Sequence, residues 1–200
     1  MDIEVKSTKQ MLDVLRKHNS VLELGCGRGN LVKSLYDPRK PRKLVALDAW
    51  PKSIEIAKKQ VKGVNFQVMD IRKIGTVYAV DEFECICGMD IIEHLDIKDA
   101  YKVLDACDKI ASKCQVFFIP VGKHVQVRDT KGVGGNHHWD THRSTWYPDM
   151  MVKRGFEVWH FDDWYQWPEG APKDPNAMWC LKGARSKSQL HECKRRAKEG

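Results

Sequence analysis

Short, nearly continuous apolar runs alternate along this chain with stretches in which apolar residues recur every three or four positions. The runs are Ser20–Leu24 and residues 43–47, 65–69, 84–87 and 115–120. Strands that are apolar on both faces belong inside a parallel sheet covered by helices. Between them, residues 30–36, 51–62 and 97–112 have helical periodicity, as in Ile54, Ala57 and Val61 or Ala100, Val103, Leu104 and Cys107. Pro51 suits a first helical turn and Gly63 a C-terminal cap. Strands joined by helical crossovers predict a doubly wound α/β domain.

After Pro120 the alternation stops, and residues 121–141 are rich in Gly, His and Lys without periodicity. So long an irregular segment in a compact domain is more often a functional loop than filler. Regular structure resumes with a helix over 148–154, stopped by Gly155, and a strand over 156–161. A Trp- and Pro-rich excursion over 162–177 leads to a last strand at 178–181. With no helical pattern between them, these two strands are expected to form an antiparallel pair at one sheet edge. Residues 1–20 alternate charge with isolated Met11, Leu12, Val14 and Leu15, and lack the apolar core of a signal peptide.

Composition narrows the class only modestly. With 42% hydrophobic and 30% charged residues among 200, the chain resembles an average globular protein. Residues 1–182 are expected to form one domain and 183–200 a basic tail. The tail holds Arg185, Lys187, Lys194, Arg195, Arg196 and Lys198 against Glu192 and Glu199, and so carries much of the net charge of +7. It suits a nucleic acid, but a solvated tail is the simpler expectation. The seven cysteines are scattered without metal-ligand spacing. No apolar run has the length of a membrane span. A soluble, reduced, cytoplasmic protein is expected, with no membrane partner.

The chemistry concentrates in Val21-Leu22-Glu23-Leu24-Gly25-Cys26-Gly27-Arg28-Gly29-Asn30, an apolar strand running into three alternate glycines and then a helix. Glycines at such a junction let a cofactor approach the backbone closely. The dinucleotide fingerprint is G-x-G-x-x-G, whereas this loop is G-x-G-x-G with an acid two residues before it. An acid there suits the ammonium and sulfonium of S-adenosylmethionine (SAM) and would repel a pyrophosphate. A nicotinamide-dependent dehydrogenase is therefore the weaker enzyme reading, and the phosphate loop G-x-x-x-x-G-K-[ST] is absent. Asp48 ends the second strand, where a carboxylate can accept ribose hydroxyls. Asp70 follows the third strand, placed for an adenine amino group, and Asp90-Ile91-Ile92-Glu93-His94-Leu95 follows the fourth.

In this order and at these intervals, Glu23 to Gly29, Asp48, Asp70 and the run from Asp90 to Leu95 resemble the class I SAM-dependent methyltransferase family. The resemblance implies a three-layer, Rossmann-like α/β sandwich with a seven-stranded sheet in the order 3-2-1-4-5-7-6, strand 7 antiparallel. It implies SAM as cofactor, with Glu23, Gly25, Cys26, Gly27 and Gly29 around the methionine moiety. Asp48 would hold the ribose, Ala49 or Trp50 the adenine face, Asp70 with Ile71 the adenine edge, and Met89 would lie near the sulfonium. The acceptor pocket is expected between residues 90–95 and 121–146.

Methyl transfer is an in-line displacement that needs a base only when the acceptor must lose a proton. His94 is the first candidate base, with orientation of the loop as its simpler role. His142, Ser144 and Trp146 match the His-x-Ser-x-Trp pattern of similar family members, where the histidine shapes the active site. Trp146 is expected to anchor the following helix. Asp90-x-x-Glu93-His94 with a distant histidine also resembles the metal-binding pattern of 3′-terminal RNA ribose 2′-O-methyltransferases, which have Glu where this chain has Asp90. No metal is assigned on that basis. The aromatic run from Trp159 to Pro168 could stack a planar acceptor, or simply pack at the sheet edge. A small-molecule acceptor is expected first, then a nucleic acid or protein, and a non-catalytic SAM-binding module is the alternative from another class.

Overall fold

The structure, a computed structural model, describes residues 8–40, 42–122, 138–161 and 176–183. Its seven strands are β1 (Ser20–Leu24), β2 (Lys43–Asp48), β3 (Asn65–Val68), β4 (Phe83–Met89), β5 (Ala111–Val121), β6 (Glu157–Phe161) and β7 (Asn176–Lys182). Among the described residues six α-helices accompany them: α1 (Thr8–Leu15), α2 (Asn30–Leu35), α3 (Pro51–Gln60), α4 (Ile74–Val77), α5 (Ile97–Ile110) and α6 (Pro148–Val152). The strands form one sheet in the order β3-β2-β1-β4-β5-β7-β6. All pairs from β3 to β5 are parallel, whereas β7 runs antiparallel to both β5 and β6. The expected architecture and strand order are therefore the observed ones.

Alternation along each strand divides the core between the two faces. Leu22, Leu24, Ile86, Phe117, Met178 and Cys180 face one way and pack with Ile74 of α4, the α5 stripe and Met151 of α6. That stripe consists of Ala100, Val103, Leu104, Cys107 and Ile110, all buried. On the other face, Val21, Cys85, Cys87, Val116, Phe118 and Trp179 pack with Met11, Val14 and Leu15 of α1 and with Leu35 of α2. A third cluster joins Val32, Ala46, Ile54, Ala57 and Phe66 beneath α2 and α3. The sheet's interior strands thus bury both faces, which is why they read as continuous apolar runs.

One element was not expected, and one expectation is corrected. Helix α1 is amphipathic and seals one face of β4 and β5 with three buried side chains, although its apolar residues look isolated in sequence. The cysteines are not all unpaired, because Cys85 and Cys114 stand opposite each other in the β4–β5 register and are joined as a disulfide. Cys26, Cys87, Cys107 and Cys180 are free and buried. Most of the 121–141 loop, the 162–168 part of the aromatic run and the tail beyond Gly183 lie outside the described residues. Among the described residues no helix is long and apolar enough to cross a membrane.

Candidate active site

The carboxyl ends of β1, β2 and β4 open into one cleft, where ligands of open α/β sheets are expected. Its wall includes Gly25 and Gly27 after β1, Asp48 with Ala49 and Trp50 after β2, and Asp70 with Ile71 after β3. From β4 come Asp90, Ile91, His94 and Leu95, and from the later segment Trp139 and Asp140.

The glycine turn is shaped by close approach. Gly25 has φ +69° and a Cβ there would meet Ile91 Cδ1 at 2.4 Å. Gly27, at φ +51°, has nothing within 4 Å of the corresponding position, so that side of the turn stays open toward the cleft. The Gly27 amide donates to Asp48 Oδ2 at 2.9 Å, and the Trp50 amide to Asp48 Oδ1 at 2.9 Å. Asp48 thereby fixes the glycine turn and the entry to α3 while keeping lone pairs for further donors. Burial raises its pKa against the pull of these two amides. Gly29 differs from its neighbours, because its missing Cβ makes room for Ala57 at 3.1 Å and serves helix packing.

Glu23 is 3% exposed beneath the turn, and its Oε2 has no hydrogen-bond partner. Burial pushes its pKa up to about 8, with Asp48 adding to the rise and the Val32 amide opposing it. A carboxyl with one oxygen unpartnered, beside a glycine cradle open to a cleft, fits a ligand that carries an ammonium group. Asp70 is engaged differently. It caps the following turn through the Arg72 amide at 3.0 Å and receives the Arg72 guanidinium at 2.9 Å. Burial would raise its pKa, but Arg72 holds it below the usual carboxylate range. Arg72 in turn stands over the Trp139 ring.

Four expected cofactor residues lie elsewhere than the cleft wall, Glu23 beneath the turn among them. Cys26 packs in the cluster beneath α2 and α3, its thiol turned to the Gly27 carbonyl. Met89 lies on the α1 face, beside Thr8, Met11, Leu12 and Cys87. Gly29 serves packing as described. Strand alternation explains Met89, because Cys87 and Met89 necessarily share a face. Conversely, Ser53 lines the cleft without an expected role, and Ile91 lines it beside the glycine turn as well as at the expected acceptor pocket. The signals were present, since Ser53 sits in the first turn after Pro51 and Ile91 immediately follows Asp90.

Beyond β4 the backbone turns sharply at Asp90, φ 47°. The next residues bring Glu93, His94 and His142 together, their ligand-type atoms within 4.8 Å of one another. The His94 and His142 rings meet edge to face at 4.8 Å, and His94 Nε2 lies 3.7 Å from Glu93 Oε1. Glu93 is 1% exposed and neither carboxylate oxygen has a hydrogen-bond partner. Burial and neighbouring Asp90 drive its pKa well up, against weaker pulls from its own amide and that of Ile91. Burial lowers the pKa of His94. The 138–146 segment is clamped onto this turn: the Arg143 and Ser144 amides donate to the Glu93 carbonyl at 2.8 and 3.0 Å, and the Arg143 guanidinium to the His94 carbonyl at 2.9 Å. Trp146 is fully buried against Tyr101, its indole N–H donating to Ser144 Oγ at 2.9 Å. The His-x-Ser-x-Trp pattern is in this chain a docking device as well as a source of His142.

Residues 21–113 match the methyltransferase domain family. The matched segment, which holds the glycine turn, Asp48, Asp70 and the run from Asp90 to Leu95, is that of a methyltransferase domain, for which SAM is the indicated cofactor. Solved methyltransferases share the fold at low identity. The methyltransferase domain of bacterial CtHen1 is 17% identical with TM-score 0.56, the match covering 86% of this chain and 93% of that one. The N-methyltransferase NodS from Bradyrhizobium japonicum, in complex with S-adenosyl-L-homocysteine, is 16% identical with TM-score 0.58, covering 88% and 85%. A SAM-dependent methyltransferase from Archaeoglobus fulgidus is 14% identical with TM-score 0.59, covering 90% and 95%. No curated protein matches the chain in sequence.

Proposed function

We infer that this methyltransferase domain, residues 1–182, transfers the methyl group of SAM to a small-molecule acceptor seated between residues 90–95 and 138–146, with residues 183–200 as a basic appendage. The observation that carries this reading is one continuous cleft. Gly25, Gly27, Asp48 and Asp70 line one part of it, and His94, Leu95, Trp139 and Asp140 another. SAM supplies a methyl group already activated by positive sulfur, so the chain's part is to align an acceptor with it. Glu23 pairs the ammonium, and Asp48 accepts the ribose hydroxyls with lone pairs its amide donors leave free. Ala49 and Trp50 flank the adenine, with Asp70 and Ile71 at its edge. His94, kept neutral by burial, accepts a proton from an acceptor hydroxyl or amine, and His142 shapes the pocket beside it.

Turnover separates this from a non-catalytic SAM-binding module. The purified chain incubated with SAM and a panel of small hydroxyl, amine and thiol acceptors should release S-adenosylhomocysteine with at least one of them. His94→Ala should lower that rate while leaving SAM affinity within about threefold. Tight SAM binding with no turnover on any acceptor class, RNA included, would leave the binding module as the correct description.

A second reading has its own observation. A buried carboxylate with no well-formed hydrogen bond to either oxygen, 3.7 Å from one of two paired imidazoles, is electrostatically incomplete and fits a divalent cation. Glu93, His94 and His142, with Asp90 near, would hold Mg²⁺ or Mn²⁺, which lowers the pKa of a coordinated acceptor hydroxyl. This supports methylation of a ribose hydroxyl at an RNA 3′ end, as in the RNA methyltransferase family whose motif the run resembles. Activity on a 3′-terminal ribonucleotide that vanishes with chelator, with SAM binding retained, would establish it over the small-molecule reading.

A further inference from the structure

A second cluster of chemistry-bearing side chains lies near the amino-terminal ends of β4 and β5, on the face covered by α1 and away from the cleft. Cys85 and Cys114 face each other across the parallel pair, their Cα atoms 4.7 Å apart and their sulfurs joined. They are buried among Met11, Val14 and Leu15. His18, in the turn that follows α1, brings Nε2 to 3.1 Å from Cys114 Sγ. Its Nδ1 faces Glu84 Oε2 at 3.6 Å. Glu84 is itself fixed, accepting from the Asn19 amide at 2.8 Å and from Lys113 Nζ at 2.7 Å.

The arrangement has a chemical consequence. A carboxylate facing Nδ1 favours the imidazole tautomer protonated there, which leaves the Nε2 lone pair directed at sulfur. A disulfide sulfur has no proton to offer that lone pair. A metal ion shared between the ring nitrogen and two thiolates satisfies it, and a carboxylate behind the ring is the usual way a metal-ligating histidine is oriented. The two sulfurs and the ring nitrogen lie within 4.8 Å of one another. Two thiolates and an imidazole form a soft donor set that selects zinc over magnesium or calcium.

We propose that Cys85, Cys114 and His18 form a zinc-class metal site that opens when the disulfide is reduced, with Glu84 as the positioning residue for His18. A dithiol reductant supplies two electrons and two protons to the Cys85–Cys114 bond and ends as its own disulfide. Metal uptake then releases the two thiol protons and forms two metal–sulfur bonds and one metal–nitrogen bond, with water as fourth ligand. The ion ties the turn after α1 to β4 and β5. Five chain positions separate Cys85 from Asp90 on the cleft wall, roughly 16 Å, so SAM binding is left intact.

Cobalt is the probe. The full chain, reduced with excess dithiol and desalted without oxygen, is titrated with Co²⁺ alone. One equivalent should give the sulfur-to-cobalt charge-transfer absorption and the visible bands of a tetrahedral site, and Zn²⁺ should erase them. The oxidised chain should give neither, nor should reduced Cys114→Ser, whose remaining buried thiols supply the background. Glu84→Gln, a change at a partly exposed side chain, should keep the band positions but weaken binding on the order of tenfold. SAM-induced thermal stabilisation reports that each variant is folded. A reduced chain that absorbs no more than Cys114→Ser overturns the site, and Glu84→Gln binding cobalt as tightly as the parent overturns the role given to Glu84.

Discussion

Glu23→Gln tests the electrostatics of the cofactor cradle. Folding carries the Glu23 carboxyl from an ordinary value of 4.5 to about 8, chiefly by burial. A carboxyl whose pKa rises on folding binds its proton more tightly in the native state. Its contribution to stability is therefore full below pH 4.5 and declines until the pH passes about 8. At about 1.4 kcal/mol per pKa unit, the loss is on the order of 2 kcal/mol at about pH 6 and 5 kcal/mol at about pH 9. Glutamine keeps an acceptor for the Val32 amide and removes the charge. In urea unfolding without cofactor, the parent should lose roughly 3 kcal/mol more than the variant between about pH 6 and 9. SAM reverses the sign of the effect, because its ammonium favours the carboxylate, so the variant should bind SAM on the order of 10- to 100-fold more weakly. Parallel pH profiles for parent and variant, or equal SAM affinity, would refute the reasoning.

The two glycines that line the cleft should separate stability from binding. Gly25→Ala meets Ile91 and is strained at positive φ, so urea unfolding should show a loss of about 2–4 kcal/mol. Gly27→Ala carries only the backbone strain, about 1–2 kcal/mol, but places a methyl group in the cleft, and calorimetry should show SAM affinity falling further than stability. Asp48→Ala leaves the Gly27 and Trp50 amides without their acceptor, and should lose about 1–3 kcal/mol of stability together with most SAM affinity; unchanged affinity would remove Asp48 from the ribose. Trp146→Ala should cost about 3–5 kcal/mol and free the 138–146 segment, read as faster hydrogen exchange at the Arg143 and Ser144 amides.

The expected strand order matched the structure because burial on both sheet faces forces continuous apolar runs. Val21, Leu22 and Leu24, or Val116 to Ile119, admit few other environments. The positions of Glu23, Gly25, Asp48 and Asp70 were equally legible, since each sits within two residues of a strand's carboxyl end and a parallel sheet gathers those ends on one edge.

What lay outside local pattern is what tertiary structure decided. Helix α1 exists because β4 and β5 offer Met11, Val14 and Leu15 a surface, and those three residues alone carry too short a period to announce it. The pairing of Cys85 with Cys114 depends on the register of two strands, and a shift of one residue would turn them to opposite faces. Met89 faces α1 for the same alternating reason. Glu93 reads as one more acid in a polar turn. Only the segment from Arg143 to Trp146, brought back from about fifty residues away to cap its carbonyl, leaves its carboxylate buried beside His94 and His142 with no well-formed hydrogen bond. Sequence spacing specifies which residues are near a strand end, whereas desolvation depends on what the rest of the chain lays over them.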